Sequence, residues 1–199
     1  MPVSRHRKKK HHARHSGWDE RVGMIRQVAR FPLRECLINE DWAEHKLATI
    51  SFARNRPDGG VAVGAFVVDV GCLGVKSAFA NPSITAEQYK QRLVFGQPTN
   101  QIPFGAPCGV KLILGALEYA RDLGFKPDPD YSYAREIFGD IDPADCEETF
   151  EYGMDGKPFY VAGPHDDPNR IVNQLTKKLG PDGYRFMMPL GDGDAEDLF

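Results

Sequence analysis

Apolar positions follow a period of two through the middle of the chain and a period of three to four on either side of it. The stretch from Val61 to Phe79, VAVGAFVVDVGCLGVKSAF, is the centre of the pattern. Val61, Val63, Ala65 and Val67 alternate with Ala62, Gly64, Phe66 and Val68. Both sets are apolar or small, which predicts a core strand covered on both faces. Upstream, Leu47 to Asn55 alternates as a strand, and RPDGG at 56–60 supplies the Pro, Asp and Gly of a hairpin turn. Helical spacing places Val22, Ile25, Val28 and Ala29 on one side of a segment over 17–30, with Ser16 as its cap and Pro32 as its end. A longer helix is predicted over 107–123, opened by Pro107 and stopped by Gly124, with Val110, Ile113, Leu114, Leu117 and Leu123 inward.

Shorter elements are legible from their punctuation. Asn39 to Lys46 predicts a short helix with Asn39 or Asp41 as cap and Trp42 as its buried anchor. Thr85 and Gln88 form a capping box for a helix to Phe95, with Gly96 after it, and 97–105 is a loop. Asp130 caps a helix to about Phe138, closed by Gly139. Residues 149–161 predict a second hairpin around Met154 to Lys157, with Pro158 placing its return strand at an edge or bulge. Asp167 and Pro168 open a helix over 168–179 that Gly180 stops, and Tyr184 to Met188 is a last short strand. CLGVK at 72–76 echoes CGVK at 108–111, but one copy follows a strand and the other opens a helix, so no repeat is inferred. The expected architecture is α+β: a single domain over 17–190, its mixed or antiparallel sheet built from two β-hairpins packed against the long helix.

Charge divides the chain differently. Residues 1–16 hold six Lys or Arg and four of the six histidines without one acid, leaving 19 basic residues against 28 acids, about −9, in the rest. The arm 1–16 is expected to be disordered until it meets an anionic partner, and 191–199 to be a mobile acidic tail. No apolar run follows the basic start and no stretch of about 18 apolar residues occurs, so neither a secretory signal nor a membrane span is expected. Cys36, Cys72, Cys108 and Cys146 include no CxxC pair. They predict free thiols in a reducing, cytoplasmic setting and no structural zinc site.

Candidate chemistry starts at Asp69. A carboxylate at the end of a buried strand must be paired, hydrogen-bonded or bound to a cation. The N–H groups of the 71–75 turn or Lys76 can supply that locally. Alternatively, Asp69, Glu118 on the long helix, and Asp166 with Asp167 at a helix start are candidate ligands of a metal-dependent phosphodiester hydrolase, which needs converging carboxylates and open coordination positions. Thiol catalysis would need Cys72 or Cys108 beside a base such as His165; Cys108 sits where a helix N-terminus favours thiolate. Neither GxGxxG nor a Walker-type GxxxxGK[ST] occurs, so no phosphate-cradling loop is predicted and no cofactor is assigned. Arg5, Arg7, Lys8, Lys9, Lys10 and Arg14 are candidate phosphate contacts, and RNA or a ribonucleoprotein is the expected partner of the arm. A protein-interaction role without catalysis is the remaining alternative.

The runs FVVDVGCLGVKSAF, EYARDLGFKPDPDY and DGKPFYVAGPHDD, spread from about residue 61 to 167, resemble a pattern in bacterial proteins of similar length that have no assigned activity. The resemblance implies a bacterial cytosolic protein and carries over no catalytic residue.

Overall fold

The computed structural model describes residues 20–95 and 100–187, so the basic arm, the Ser16 cap, Gly96 and the acidic tail lie outside the described residues. Helix α1 (residues 20–28) buries Ile25 and Val28, as its spacing predicts, with Ala29 following. Four strands then run as a meander: β1 (Leu33–Asn39), β2 (Leu47–Asn55), β3 (Val61–Asp69) and β4 (Gly74–Ile84), with the one-turn helix α2 (Trp42–His45) between the first two. Helix α3 (Ala86–Phe95) leads to β5 (Gln101–Pro103), which pairs on the far side of β1 and completes an antiparallel sheet of order β4-β3-β2-β1-β5. The capping box of α3 is present: Thr85 N donates to Gln88 Oε1 at 3.0 Å and Gln88 N to Thr85 Oγ1 at 3.1 Å.

Helix α4 (Ala106–Asp122) covers one face of this sheet, joined by α5 (Tyr131–Ala134) and the 3₁₀ turns Arg135–Phe138 and Pro143–Asp145. Val110, Ile113 and Leu123 are buried as predicted, and the buried face extends further to small residues. Gly109, Leu112, Ile113, Ala116 and Ala120 are buried, whereas Leu117 is half-buried and Leu114 is 40% exposed. Small residues decide this, because they let the helix backbone approach the sheet. A methyl group added at Gly109 would stand 3.0 Å from Phe52 Cζ and 3.1 Å from Cys36 Sγ. Beneath the helix, Phe52, Phe66 and Phe138 form one aromatic cluster, with Phe66 to Phe138 centroids 5.1 Å apart.

Arg54, 3% exposed, anchors the 3₁₀ segment to this core by donating to the carbonyls of Phe31, Ile137 and Phe138. Burial lowers its pKa, with the Asp140 charge opposing.

The opposite face of the sheet is covered at one end only. Ala53, Val61, Val63 and Ile84 pack with Tyr89 of α3, whereas Leu47 and Phe79 are 39% and 37% exposed. Strand β3 itself is buried at seven of its nine residues, as expected, with Ala65 and Val67 half-buried.

The second predicted hairpin is also corrected. Only an isolated bridge, Met154 to Lys157, forms there. Strand β6 (Phe159–Val161) pairs in parallel with β7 (Arg185–Met187) across α6 (Pro168–Leu179). Parallel strands require a crossover, and α6 supplies it. Its cap is the predicted one, Asp167 Oδ1 accepting from Arg170 N at 3.1 Å. Cys72, Leu73, Leu123, Tyr160, Ile171 and Leu175 make a second, smaller apolar cluster under this unit.

The cysteines depart from expectation as well. Cys108, in the first turn of α4, is bonded to Cys146, just after the second 3₁₀ turn, with Cα atoms 5.0 Å apart across 38 positions. Cys36 and Cys72 are free and buried. Spacing along the chain gave no sign of the pairing, because the loop from 124 to 145 returns Cys146 to the start of α4 only in three dimensions. The bond corrects the expectation of four free thiols at Cys108 and Cys146 and leaves it in place at Cys36 and Cys72. Among the described residues no helix is long and apolar enough to cross a membrane.

Candidate functional site at the end of the sheet

Strand β3 reverses into β4 through Val70 to Leu73, and Asp69 pairs with Gly74 across the turn. Gly74 has φ +71, and a methyl group there would meet Ala120 Cβ at 2.8 Å, so the tight turn and the close helix both require glycine. Asp69 is 7% exposed, and its Oδ1 accepts hydrogen bonds from Cys72 N at 2.8 Å and Leu73 N at 3.3 Å. Burial raises the pKa of this carboxyl, although the turn amides and the nearby Lys76 charge favour the ionised form. The local satisfaction foreseen for Asp69 is therefore present, through the turn.

Lys76 is placed by a break in the ladder. Val68 pairs with Val75 but Val67 pairs with Ser77, so Lys76 is the extra residue of a β-bulge, a device that re-aims a side chain out of strict alternation. Its Nζ reaches Asp166 across 90 positions, at 2.8 Å from Oδ1 and 2.9 Å from Oδ2. Oδ2 of Asp166 also accepts from Gly163 N at 2.9 Å and from the Tyr160 hydroxyl at 3.3 Å. Burial alone would push the Asp166 carboxyl up. The Lys76 bond and charge, the Gly163 amide and the Tyr160 hydroxyl together outweigh it and hold the group below the usual aspartate value. Tyr160 is fully buried, and burial with the adjacent Asp166 raises its pKa.

A cavity of about 550 Å³ opens between this end of the sheet and the C-terminal unit. Leu47, Val67, Phe159, Val161 and Met187 form much of its apolar wall, while Glu44, Lys46, Asp69 and Lys76 bring charge to it. Lys46 closes α2 in the left-handed region at φ 54 and accepts Val70 N at its carbonyl, so the strained residue is tied to the same turn that holds Asp69. Lys76 also lines a smaller cavity of about 350 Å³, where His165, Asp166, Lys126 and Arg170 meet.

The sequence candidates are thus brought together in part. Asp69 and Lys76 share the larger cavity; Lys76, Asp166 and His165 share the smaller. Glu118 lines neither, its side chain being 70% exposed on α4 and paired with Arg121 at 3.4 Å. Asp69 is occupied by turn amides and Asp166 by Lys76, and among the described residues no three His, Cys, Asp or Glu side chains are grouped to hold a metal. Cys108 is engaged in the disulfide, and burial raises the pKa of Cys72, so neither supplies a thiolate. Tyr160 and Lys46 escaped the sequence reading. The signal for Tyr160 was a tyrosine inside the apolar run FYV, which has no local mark of its partner; for Lys46 it was the end of a short helix without glycine. Chemically, the arrangement offers a fixed ion pair and a desolvated carboxyl at the polar end of an apolar chamber, which suits recognition of a polar head attached to an apolar body. No protein-family model, curated protein or solved structure matches the chain.

Proposed function

We propose that the protein associates with RNA or a ribonucleoprotein through its basic N-terminal segment. The observation that carries this reading is the segregation of charge. Residues 1–34 hold ten of the 25 Lys and Arg but two of the 28 acids, leaving 15 basic residues against 26 acids in the remainder. The arm contacts Arg5, Arg7, Lys8, Lys9, Lys10 and Arg14 lie outside the described residues. Support within the fold comes from the continuation of basic character along α1 and into β1, where Arg21, Arg30 and Arg34 are exposed. Arg21 stacks over the Tyr133 ring at 4.9 Å. A segment of this kind neutralises phosphates and releases counterions without reading bases, while the acidic remainder orients the polyanion toward the N-terminal side.

Titration of full-length protein and of residues 16–199 against unstructured RNA at several salt concentrations tests the reading. Six arm contacts give a log–log salt slope of about −4 for single strands. Deletion removes most of the affinity and most of that slope while thermal unfolding of the body is unchanged. Protonating His6, His11, His12 and His15 below about pH 6.5 tightens binding. Equal affinity of the two proteins overturns the proposal and favours a protein-interaction role.

A further inference from the structure

We infer that the 550 Å³ cavity at the end of the sheet binds a small zwitterion with an apolar body, the class of an α-amino acid with a large apolar side chain. The inference does not depend on the arm. The volume falls within the roughly 300–1,000 Å³ of small-molecule sites. Its lining places Glu44 and Asp69 beside Lys46 and Lys76, with His45 next to them; Lys76 is also ion-paired with Asp166, and Lys46 lies 4.0 Å from Glu151. A zwitterion presents its ammonium to Glu44 and Asp69 and its carboxylate to the lysines, whereas a ligand with one charge leaves half of this lining without an opposite.

The site is also built rather than incidental. Asp69 is nine-tenths buried and locked by the turn amides. Lys76 is held by the bulge and by Asp166, and it lines the cavity. The chamber beyond is apolar, and Met154 and Met187 on it supply the adaptable side chains that let one cavity accept several related bodies.

Calorimetric titration of the full-length chain with L-phenylalanine, phenethylamine and 3-phenylpropionate separates the contributions of the two charges. L-Phenylalanine should bind, and each analogue lacking one charge should bind at least tenfold more weakly. Lys76→Met should weaken L-phenylalanine and 3-phenylpropionate about tenfold and spare phenethylamine. Met187→Trp, at a position 54% exposed where the fold tolerates bulk, should narrow the cavity and reduce binding of all three. Unchanged circular dichroism of both variants guards against misfolding. Equal binding of the three compounds, or no binding of phenylalanine, leucine, methionine or tryptophan at about 10 mM, where even a millimolar site would fill, overturns the inference.

Discussion

The five-stranded sheet and the β6–α6–β7 unit bury their side chains by different means. In the sheet, β1 to β4 are joined by short reversals and every neighbour is antiparallel, so the apolar residues are aligned by pairings between strands close in sequence. The C-terminal unit has two three-residue strands in parallel, a smaller apolar cluster, and an ion pair spanning 90 positions. One region is held by contacts near in sequence; the other also uses a contact across 90 positions to the sheet. The cavity lies on the seam between them, where β3, β4 and β6 leave space that neither cluster fills.

That comparison can be broken most directly in the main core. Phe66 is fully buried and touches the rings of Phe52, Tyr131 and Phe138, so Phe66→Ala should cost about 3–5 kcal/mol in urea unfolding. Loss of both clusters together would show that the C-terminal unit depends on the sheet. A cost below about 1 kcal/mol would remove the aromatic cluster from the core.

The disulfide sharpens the comparison next, because it ties the start of α4 to the loop after the 3₁₀ turns on the main-core side. Closing a 38-residue separation should stabilise the fold by about 2–4 kcal/mol, read as the difference in unfolding between the native chain and a Cys108→Ser/Cys146→Ser variant. Equal stability of the two would mean that local turns already hold the loop.

A smaller effect is expected at the seam. Asp166→Asn removes the charge that Lys76 faces while keeping an acceptor for the Gly163 amide, and should cost about 2 kcal/mol, a typical value for a hydrogen bond to a charged group. Hydrogen exchange should rise in β6, α6 and β7 before it rises in β2 and β3. The pH dependence has a definite sign. Asp166 is held below its unfolded value of about 3.9, so its contribution is complete above that pH and fades as pH falls through the lower folded value. The gap between native and Asp166→Asn proteins should therefore be constant from pH 7 to 5 and narrow below about 4. Asp69, shifted upward, makes the opposite contribution, but it is present in both proteins and cancels from the gap. A gap unchanged down to pH 3 would exclude the Lys76–Asp166 charge interaction as its cause.

Residue order by itself determined the elements whose signals are local. The Thr85–Gln88 box, the Asp167 cap, the Asp58 turn into β3 and the alternation of β2 and β3 all rest on contacts within a few residues. It also placed Asp69 at a strand end beside a turn able to satisfy it. Tertiary structure alone decided the rest. The three-residue strand β5 is too short to show alternation, and β1, exposed at Leu33 and Arg34 and buried from Cys36 to Asn39, does not alternate; both are defined by their pairing in the sheet. The buried face of α4 extends to Gly109, Ala116 and Ala120, where small residues permit close approach, and leaves Leu114 outside it. Lys76 meets Asp166, and Cys108 meets Cys146, because the chain folds back over 90 and 38 positions, and sequence periodicity carries no information about contacts at that separation. The cavity belongs to this second category, since it is bounded by residues from both regions and exists only when they pack together.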